Sequence, residues 1–275
     1  MSTLNKDKLQ SETVFDELKR QIIGGEYPAG SNLPSERNLS EVLGVHRSTV
    51  REAIKRLEQV RLVQTSRGGG SKIQDFKHTA GMDLLPSVIL RSDGTIDSDV
   101  ILHLTEMRQD LLPIIVERAI ERNGETLAEL LAEIIESMRE AKGDLEIIQS
   151  LCINFWDSCI DCADNLAYRF TFNTMHENYR QFSAVMQVLA KKELTSLHSY
   201  DGIYLAVRAK DATSAKRITS ELLSKSGKEI SRAVAKYQKM LDRSNIEKND
   251  VESSDVENSN LKSNSIKSNN VKAVK

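Results

Sequence analysis

The segment of this chain that most constrains its fold runs from residue 33 to residue 72. Pro34 and Ser35 suit the start of a helix, because a first turn tolerates proline and favours a hydroxyl cap. Gly44 can take the left-handed conformation that ends such a helix, and a second helix opens near His46. The apolar stripes of the two helices consist of Leu39, Val42, Leu43, Val50, Ile54 and Leu57. This spacing predicts two helices that pack across a tight turn.

The other face of the second helix carries side chains that can donate to base edges and phosphates. They are His46, Arg47, Ser48, Thr49 and Arg51. Short apolar segments flank the sequence SRGGG, which predicts a β-hairpin wing with Arg67 at its tip. Between residues 44 and 72, seven Lys and Arg stand against two Glu, a local charge of +5, whereas the whole chain carries −2. The segment therefore predicts a winged helix-turn-helix that binds double-stranded DNA.

Composition places the chain among soluble proteins large enough for two domains. It has 275 residues, of which 39% are apolar. No apolar run approaches the roughly 18 residues of a membrane span, and the opening MSTLNKDKLQ lacks the apolar core of a secretory signal. Cys152, Cys159 and Cys162 are an odd set in one segment, which does not form a disulfide framework. We therefore expect a cytoplasmic protein with no membrane partner.

The chain divides into three parts. Residues 1–78 contain the winged helix and an opening amphipathic helix near residues 14–23. Residues 79–243 show no convincing strand pattern and predict an all-α bundle of six or seven helices. The clearest helices span residues 98–122, 125–142, 145–162, 166–189, 195–209 and 212–241. In residues 244–275, fourteen of thirty-two positions are Ser or Asn, which predicts a disordered tail. The predicted fold is mostly α, with a small β-hairpin wing.

Catalytic patterns are missing from this sequence. No nucleophile–base pair, phosphate loop or metal-ligand set stands out, so we expect no enzyme. Cys159 and Cys162 have the spacing of a redox or zinc pair, but no second pair accompanies them. Within a helix they are better interpreted as small packing residues.

The sequence PSERNLSEVLGVHRSTVREAIKRLE, followed by an all-α bundle, resembles the GntR family of bacterial transcription regulators. Three features of the second part resemble the FadR-type branch of that family, whose members regulate fatty-acid metabolism. They are DFKHTAGMDLL, LTEMRQDLLPIIVERA and the pattern N-L-A-Y-x4-N-x-M-x3-Y between Asn165 and Tyr179. The resemblance implies a homodimer on a palindromic operator, with Arg37 and Arg47 as base-contacting arginines.

The resemblance also implies what the bundle binds. Many relatives hold a divalent metal at positions that match Cys152, Trp156, Tyr200 and Leu222, which are not a ligand set for a hard cation. We therefore expect no metal and no cofactor. The FadR-type branch takes a long-chain acyl-CoA as effector, and the residues expected to line or border its cavity are Arg108, Trp156, Tyr179, Tyr200 and Ser226. The aromatic side chains could instead be ordinary core residues, and Arg108 could pair with an internal carboxylate.

Two functional hypotheses follow. The first is a dimeric transcription factor of fatty-acid metabolism that long-chain acyl-CoA releases from its operator, as a repressor, an activator or both. The alternative is a GntR-type regulator that senses another small molecule, such as an organic acid.

Overall fold

The computed structural model describes residues 3–66, 68–91, 94–181 and 183–240, and the side chains of these ranges except residues 3–9 and 177–181. Its elements are α1 Thr3–Ile23, α2 Glu36–Leu43, α3 Arg47–Gln59, β1 Val63–Ser66, β2 Gly70–Ile73, α4 Phe76–Thr79, a 3-10 turn Met82–Leu84, α5 Leu85–Ile89, α6 Ser98–Glu140, α7 Leu145–Cys162, α8 Leu166–Gln181, α9 Ser183–Leu189, α10 Lys191–Leu194, α11 Leu197–Arg208 and α12, residues 212–240. The predicted fold class, a winged helix-turn-helix followed by an all-α region, is confirmed.

The turn between α2 and α3 forms as the sequence predicts. The Ser35 hydroxyl caps α2 by accepting from the backbone N–H of Asn38 at 3.3 Å, and Gly44 ends the helix with a φ of 64°. The placement of Val42 in the apolar stripe was wrong, because this side chain is 82% exposed. Only one side of the short α2 faces α3, and it is covered by Leu39 and Leu43.

The winged helix has a core of its own. Helix α1 packs against α3, and β1 pairs with β2 as an antiparallel hairpin from Val63 opposite Ile73 to Ser66 opposite Gly70. The buried side chains of this core are Val14, Phe15, Leu18, Ile22, Leu33, Leu39, Val50, Ala53, Ile54, Leu57, Leu62, Val63, Ile73 and Leu84. The 3-10 turn therefore contributes Leu84 to the core of the DNA-binding part.

A second core forms where α6 packs against α7 and α11. Helix α6 is kinked at Asn123, whose backbone is non-helical at φ −140° and ψ 40°, between the two helices that the sequence predicts for residues 98–142. The Asn123 side-chain amide donates to the carbonyl of Cys162 at 2.9 Å, which ties the kink to the end of α7. The predicted helix over residues 166–189 is divided into α8 and α9, and α10 precedes the one predicted from residue 195.

The chain divides into two compact units, residues 1–227 and 228–275. The predicted tail at 244–275 lies outside the described residues, and the boundaries proposed after residues 78 and 243 stay predictions. In the described ranges, no helix is both long and apolar enough to cross a lipid bilayer.

Candidate DNA-reading surface and effector cavity

The beginning of α3 presents polar side chains to solvent. His46 takes the N-cap position with an extended backbone and makes no side-chain capping bond, and Arg47 and Ser48 follow in the first turn, both exposed. Arg37, on α2, is also exposed and lies 3.4 Å from the carboxylate of Glu41. These four predicted DNA contacts are therefore accessible to a ligand. Arg67, the predicted wing-tip contact, lies outside the described residues.

Arg51 is exposed but already has an ionic partner. Its Nη2 and Nε donate to the carboxylate of Glu36 at 2.9 Å and 3.1 Å, which joins α3 to the start of α2. The hydrogen bond from Arg51 lowers the pKa of Glu36, and the charges of Arg51 and Arg47 act in the same direction against the effect of burial. A phosphate that contacts Arg51 must therefore share it with Glu36.

Thr49 does not belong to this surface. The sequence places it among the exposed donors, but its exposure is 5% and the prediction was wrong. The buried face of α3 includes Thr49, Val50, Ala53, Ile54 and Leu57, so it is wider than the stripe read from the sequence. Thr49 therefore belongs to the packed side of α3 and not to its exposed side.

The second core encloses a cavity of about 60 Å³ between α6, α7, α8 and α10. Most of its wall is apolar or aromatic, and the polar side chains Arg108, Glu193 and His176 stand on α6, α10 and α8. The lining residues are Arg108, Leu112, Cys152, Ile153, Trp156, Phe172, Met175, His176, Ala190, Glu193 and Leu194.

The predicted ligand residue Arg108 does pair with an internal carboxylate, that of Glu193. Its Nη2 donates to Oε1 of Glu193 at 2.7 Å, and the exposures of the two side chains are 18% and 4%. The Ser226 hydroxyl donates to Oε2 of Glu193 at 2.7 Å. Burial acts to raise the pKa of Glu193, but the charge and hydrogen bonds of Arg108, together with Ser226, lower it overall. Glu193 is therefore an ionised carboxylate inside the bundle.

Two predicted aromatic residues lie in or behind the cavity wall. Trp156 lines the cavity and makes an edge contact with Phe155, with ring centroids 5.2 Å apart. Tyr200 is fully buried behind it, with its ring centroid 5.8 Å from that of Trp156. Among the described residues, neither the Trp156 indole N–H nor the Tyr200 hydroxyl has a hydrogen-bond partner. The side chain of Tyr179 lies outside the described residues, so the structure gives no contact for it.

The structure adds wall residues that sequence reasoning missed. His176 lines the cavity, and its Nδ1 lies 3.2 Å from Oδ2 of Asp157. Nη1 of Arg169 lies 2.6 Å from the other oxygen of the same carboxylate. Burial acts to raise the pKa of Asp157, but hydrogen bonds from His176 and Arg169 lower it overall. Both Glu193 and His176 are polar residues in helical segments, and no local signal marks them as inward-facing.

The positions that match the metal ligands of relatives all belong to the second core. Burial raises the pKa of the Cys152 thiol to about 12. The rings of Trp156 and Tyr200 contact each other in the same core, which also contains Leu222. Nowhere in the described ranges do three or more His, Cys, Asp or Glu side chains form a group that could hold a metal ion. Cys159 is fully buried, and burial raises the pKa of its thiol.

An exposed recognition helix, a β-hairpin wing and a separate helical core around a cavity define a DNA-binding regulator that responds to a ligand. Residues 10–73 match the family described as "Bacterial regulatory proteins, gntR family", and residues 103–225 match the family described as "FCD domain". The chain is 34% identical over 212 residues to "HTH-type transcriptional regulator Mce2R" of Mycobacterium tuberculosis, which covers 77% of this chain and 88% of that protein. It therefore belongs to the GntR family of bacterial transcription regulators, in the FadR-type branch.

Two further comparisons are more distant. The chain is 32% identical over 132 residues to "Fatty acid metabolism regulator protein" of Vibrio cholerae, which covers 47% of each protein. A solved structure titled "Lar controls the expression of the Listeria monocytogenes agr system and mediates virulence" shares the fold, with a TM-score of 0.51 and 19% identity over 81% of this chain and 96% of that one. The family match and the Mycobacterium tuberculosis relative identify the chain as a transcription regulator.

Proposed function

We propose that this protein binds a palindromic operator as a homodimer and that a long-chain acyl-CoA, bound in the FCD domain, releases it. The observation that carries the proposal is the cavity, because apolar side chains form most of its wall and a few polar groups stand on it. Leu112, Phe172 and Leu194 are among the apolar groups that an acyl chain would contact. The Vibrio cholerae relative named for fatty-acid metabolism supports the same effector class.

The size of the cavity bears on how such a ligand acts. Cavities that hold drug-sized molecules are about 300–1,000 Å³, whereas this one is about 60 Å³. A long acyl chain therefore has to widen the cavity, and α8 and α10 form one side of it. Helix α8 also contacts the 3-10 turn that contributes Leu84 to the winged-helix core. Displacement of α8 by the ligand would thus act on the DNA-binding part.

The DNA side of the proposal follows from symmetry. A two-fold dimer presents two copies of α3 to half-sites about one helical turn apart, which matches a palindromic operator. A ligand that changes the separation of the two helices weakens binding, and coupling of this kind is worth roughly 1–3 kcal/mol. That range corresponds to about a 5- to 150-fold loss of operator affinity.

Gel-shift titration with the operator and increasing palmitoyl-CoA tests the proposal. We expect release by palmitoyl-CoA, whereas palmitate and divalent metals leave the complex intact. Tyr179→Ala should raise the palmitoyl-CoA concentration needed for release without changing operator affinity in its absence. If palmitoyl-CoA neither releases the operator nor raises the thermal midpoint of the protein, the proposed effector is wrong.

The small cavity also favours a second candidate effector. A volume of about 60 Å³ accommodates a few heavy atoms without rearrangement, as a small organic acid would require. A thermal-shift panel of dicarboxylates, with and without zinc or nickel, tests this alternative. Stabilisation by such an acid, without any response to acyl-CoA, would identify the protein as an organic-acid sensor.

A further inference from the structure

We propose that the cavity accepts ligands whose buried polar group is an uncharged hydrogen-bond acceptor, and that Glu193 is the residue that rejects carboxylates. This inference rests on the proposed function, in which the cavity is the effector site. It goes further because it assigns the selection of the ligand head group to named side chains. Two observations carry it: a carboxylate that is part of the wall, and a buried donor without an acceptor.

The first observation concerns charge. Glu193 lines the cavity with 3% exposure, and it already receives the guanidinium of Arg108 at 2.7 Å. Burial acts to raise the pKa of Glu193, but the charge and hydrogen bonds of Arg108, together with the contacts of Ser226 and Trp156, lower it overall, so the carboxylate is ionised at neutral pH. The other ionisable groups of the wall offer no cation to an anionic ligand: burial raises the pKa of the Cys152 thiol to about 12, which keeps it neutral, and His176 lies 3.2 Å from the carboxylate of Asp157. An anionic head group would therefore bring a second negative charge into a low-dielectric site.

The second observation concerns hydrogen bonding. The Trp156 side chain borders the cavity with 5% exposure, and its Nε1–H has no hydrogen-bond partner among the described residues. Nearly all buried donors in proteins are paired, so an open donor beside a cavity marks a place where a ligand acceptor would be favoured. The indole lies close enough to lower the pKa of Glu193 without reaching hydrogen-bond geometry. An acceptor bound to Trp156 therefore comes close to that carboxylate and has to be neutral.

A ligand carboxylate could bind only by taking Arg108 away from Glu193. Glu193 would then keep the Ser226 hydroxyl, at 2.7 Å, but would have lost the charge that balances it. Breaking a buried pair in this way leaves an uncompensated charge, which is strongly unfavourable. A carbonyl oxygen satisfies Trp156 and leaves the pair of Arg108 and Glu193 intact. The thioester carbonyl of an acyl-CoA meets this condition, and a free fatty acid does not.

The test uses the fact that Trp156 is the single tryptophan of the chain. In the ¹⁵N-labelled full-length protein its indole N–H gives one resonance, which reports directly on the cavity. Hexanamide and hexanoate are matched probes of equal chain length, one neutral and one anionic. We expect hexanamide to shift this resonance, and hexanoate to bind at least about 100-fold more weakly, because juxtaposed like charges cost several kcal/mol. Equal affinity for the two probes, or no shift with hexanamide, would overturn the inference.

Glu193→Gln tests the assigned residue, since an amide oxygen can still accept from Arg108 and Ser226. In this variant, hexanoate should bind within about tenfold of hexanamide, because the wall no longer carries a carboxylate that repels the ligand and balances the charge of Arg108. Glu117→Gln is the matched control, because Glu117 pairs with Lys216 at 2.8 Å and does not line the cavity. The control should keep the preference of the wild type. If Glu193→Gln folds and also keeps that preference, Glu193 is not the selecting residue.

Trp156→Phe decides the question if Glu193→Gln fails to fold. It removes one donor and keeps the aromatic ring, so calorimetry should show about tenfold weaker binding of hexanamide. Unchanged affinity would overturn the role of the indole N–H.

Failure of the proposed function can be told apart from failure of this inference. A protein that discriminates the short probes but does not respond to palmitoyl-CoA has the inferred cavity without the proposed effector. A protein released by palmitoyl-CoA and palmitate alike has the effector class without the inferred selection.

Discussion

Removal of the Glu193 carboxylate should cost far more stability than removal of an equally close partner in a pair that is only half-buried. In Glu193→Ala, the guanidinium of Arg108 stays in the bundle interior, where its side chain is 18% exposed. The Ser226 hydroxyl, which donates to Glu193 at 2.7 Å, loses its acceptor in the same variant. The perturbation therefore removes the carboxylate that faces a buried guanidinium and the acceptor of a buried hydroxyl.

The magnitude follows from burial. Removing one partner of a buried ion pair costs about 3–5 kcal/mol, a large part of a total stability of roughly 5–15 kcal/mol. The Glu117–Lys216 pair has nearly the same length, 2.8 Å against 2.7 Å, but its side chains are 23% and 42% exposed. An ion pair that solvent still reaches contributes about 0–1 kcal/mol, so Glu117→Ala should lose less than about 1 kcal/mol. The contrast between the two variants isolates the effect of burial.

Urea denaturation followed by circular dichroism at neutral pH measures both losses. The double variant Arg108→Met with Glu193→Leu should recover most of the stability that Glu193→Ala loses, because apolar replacement of a buried pair is often neutral or stabilising. The reasoning is refuted if Glu193→Ala loses no more than Glu117→Ala. It is equally refuted if the double variant is less stable than Glu193→Ala, since that result would make packing and not charge the cause.

The same pair predicts a pH dependence. The pKa of Glu193 in the folded protein is lowered from its ordinary value of 4.5, because the charge and hydrogen bonds of Arg108 and the contacts of Ser226 and Trp156 together outweigh the effect of burial. A lowered folded-state pKa contributes stability that is fully present above the unfolded-state pKa and is lost as the pH falls through the folded-state value. The stability difference between wild type and Glu193→Gln should therefore be constant between about pH 6 and pH 8, and shrink below about pH 4.5. A difference that grows on acidification would contradict the assigned charge state.

Further predictions concern the DNA surface, the tail and the effector response. Arg37→Ala and Arg47→Ala should abolish discrimination between operator and random DNA in gel-shift titrations, since a good base contact is worth about 1–3 kcal/mol. Arg51→Ala should instead weaken binding to all sequences and lower the salt slope by about 1, and equal loss of specificity in all three variants would contradict this division. Removal of residues 246–275 should change operator affinity by less than about 0.5 kcal/mol, and a larger loss would identify the tail as an interaction arm. Ser226→Ala should raise the acyl-CoA concentration needed for release, as measured by fluorescence anisotropy of a labelled operator, while operator affinity alone stays unchanged.

Local signals were enough to predict most helix boundaries. Helix α7, Leu145–Cys162, has the predicted limits because Asp144 caps its start, accepting from Glu146 and Ile147, and Gly143 before it has a φ of 88°. The break at Asn123 was also predicted, although the helix continues across it as a kink. In each case the residues that end or begin the helix are neighbours in the sequence, so pattern and propensity carry the information.

The interior of the site could not be predicted in the same way. Arg108 and Glu193 are 85 residues apart, and their pairing depends on how α6 and α10 approach each other. The sequence indicates only that a buried arginine needs a carboxylate, without showing which one. Thr49 illustrates the opposite error, because a polar side chain next to a buried apolar one was assigned to the exposed face. Tertiary packing decided both positions.

Contacts that connect the cavity to the recognition helix give the proposed effector response a structural route. Helix α8 contributes Phe172 and His176 to the cavity wall and contacts the 3-10 turn Met82–Leu84. The turn is tied to the end of α3, because Asp83 lies 3.5 Å from the guanidinium of Arg61, which directly follows that helix. Packed elements shift between discrete arrangements and do not deform continuously, so a ligand that widens the cavity has to move α8 as a unit. Since this turn also holds Leu84 in the winged-helix core, such a movement changes the support of the helix that reads DNA.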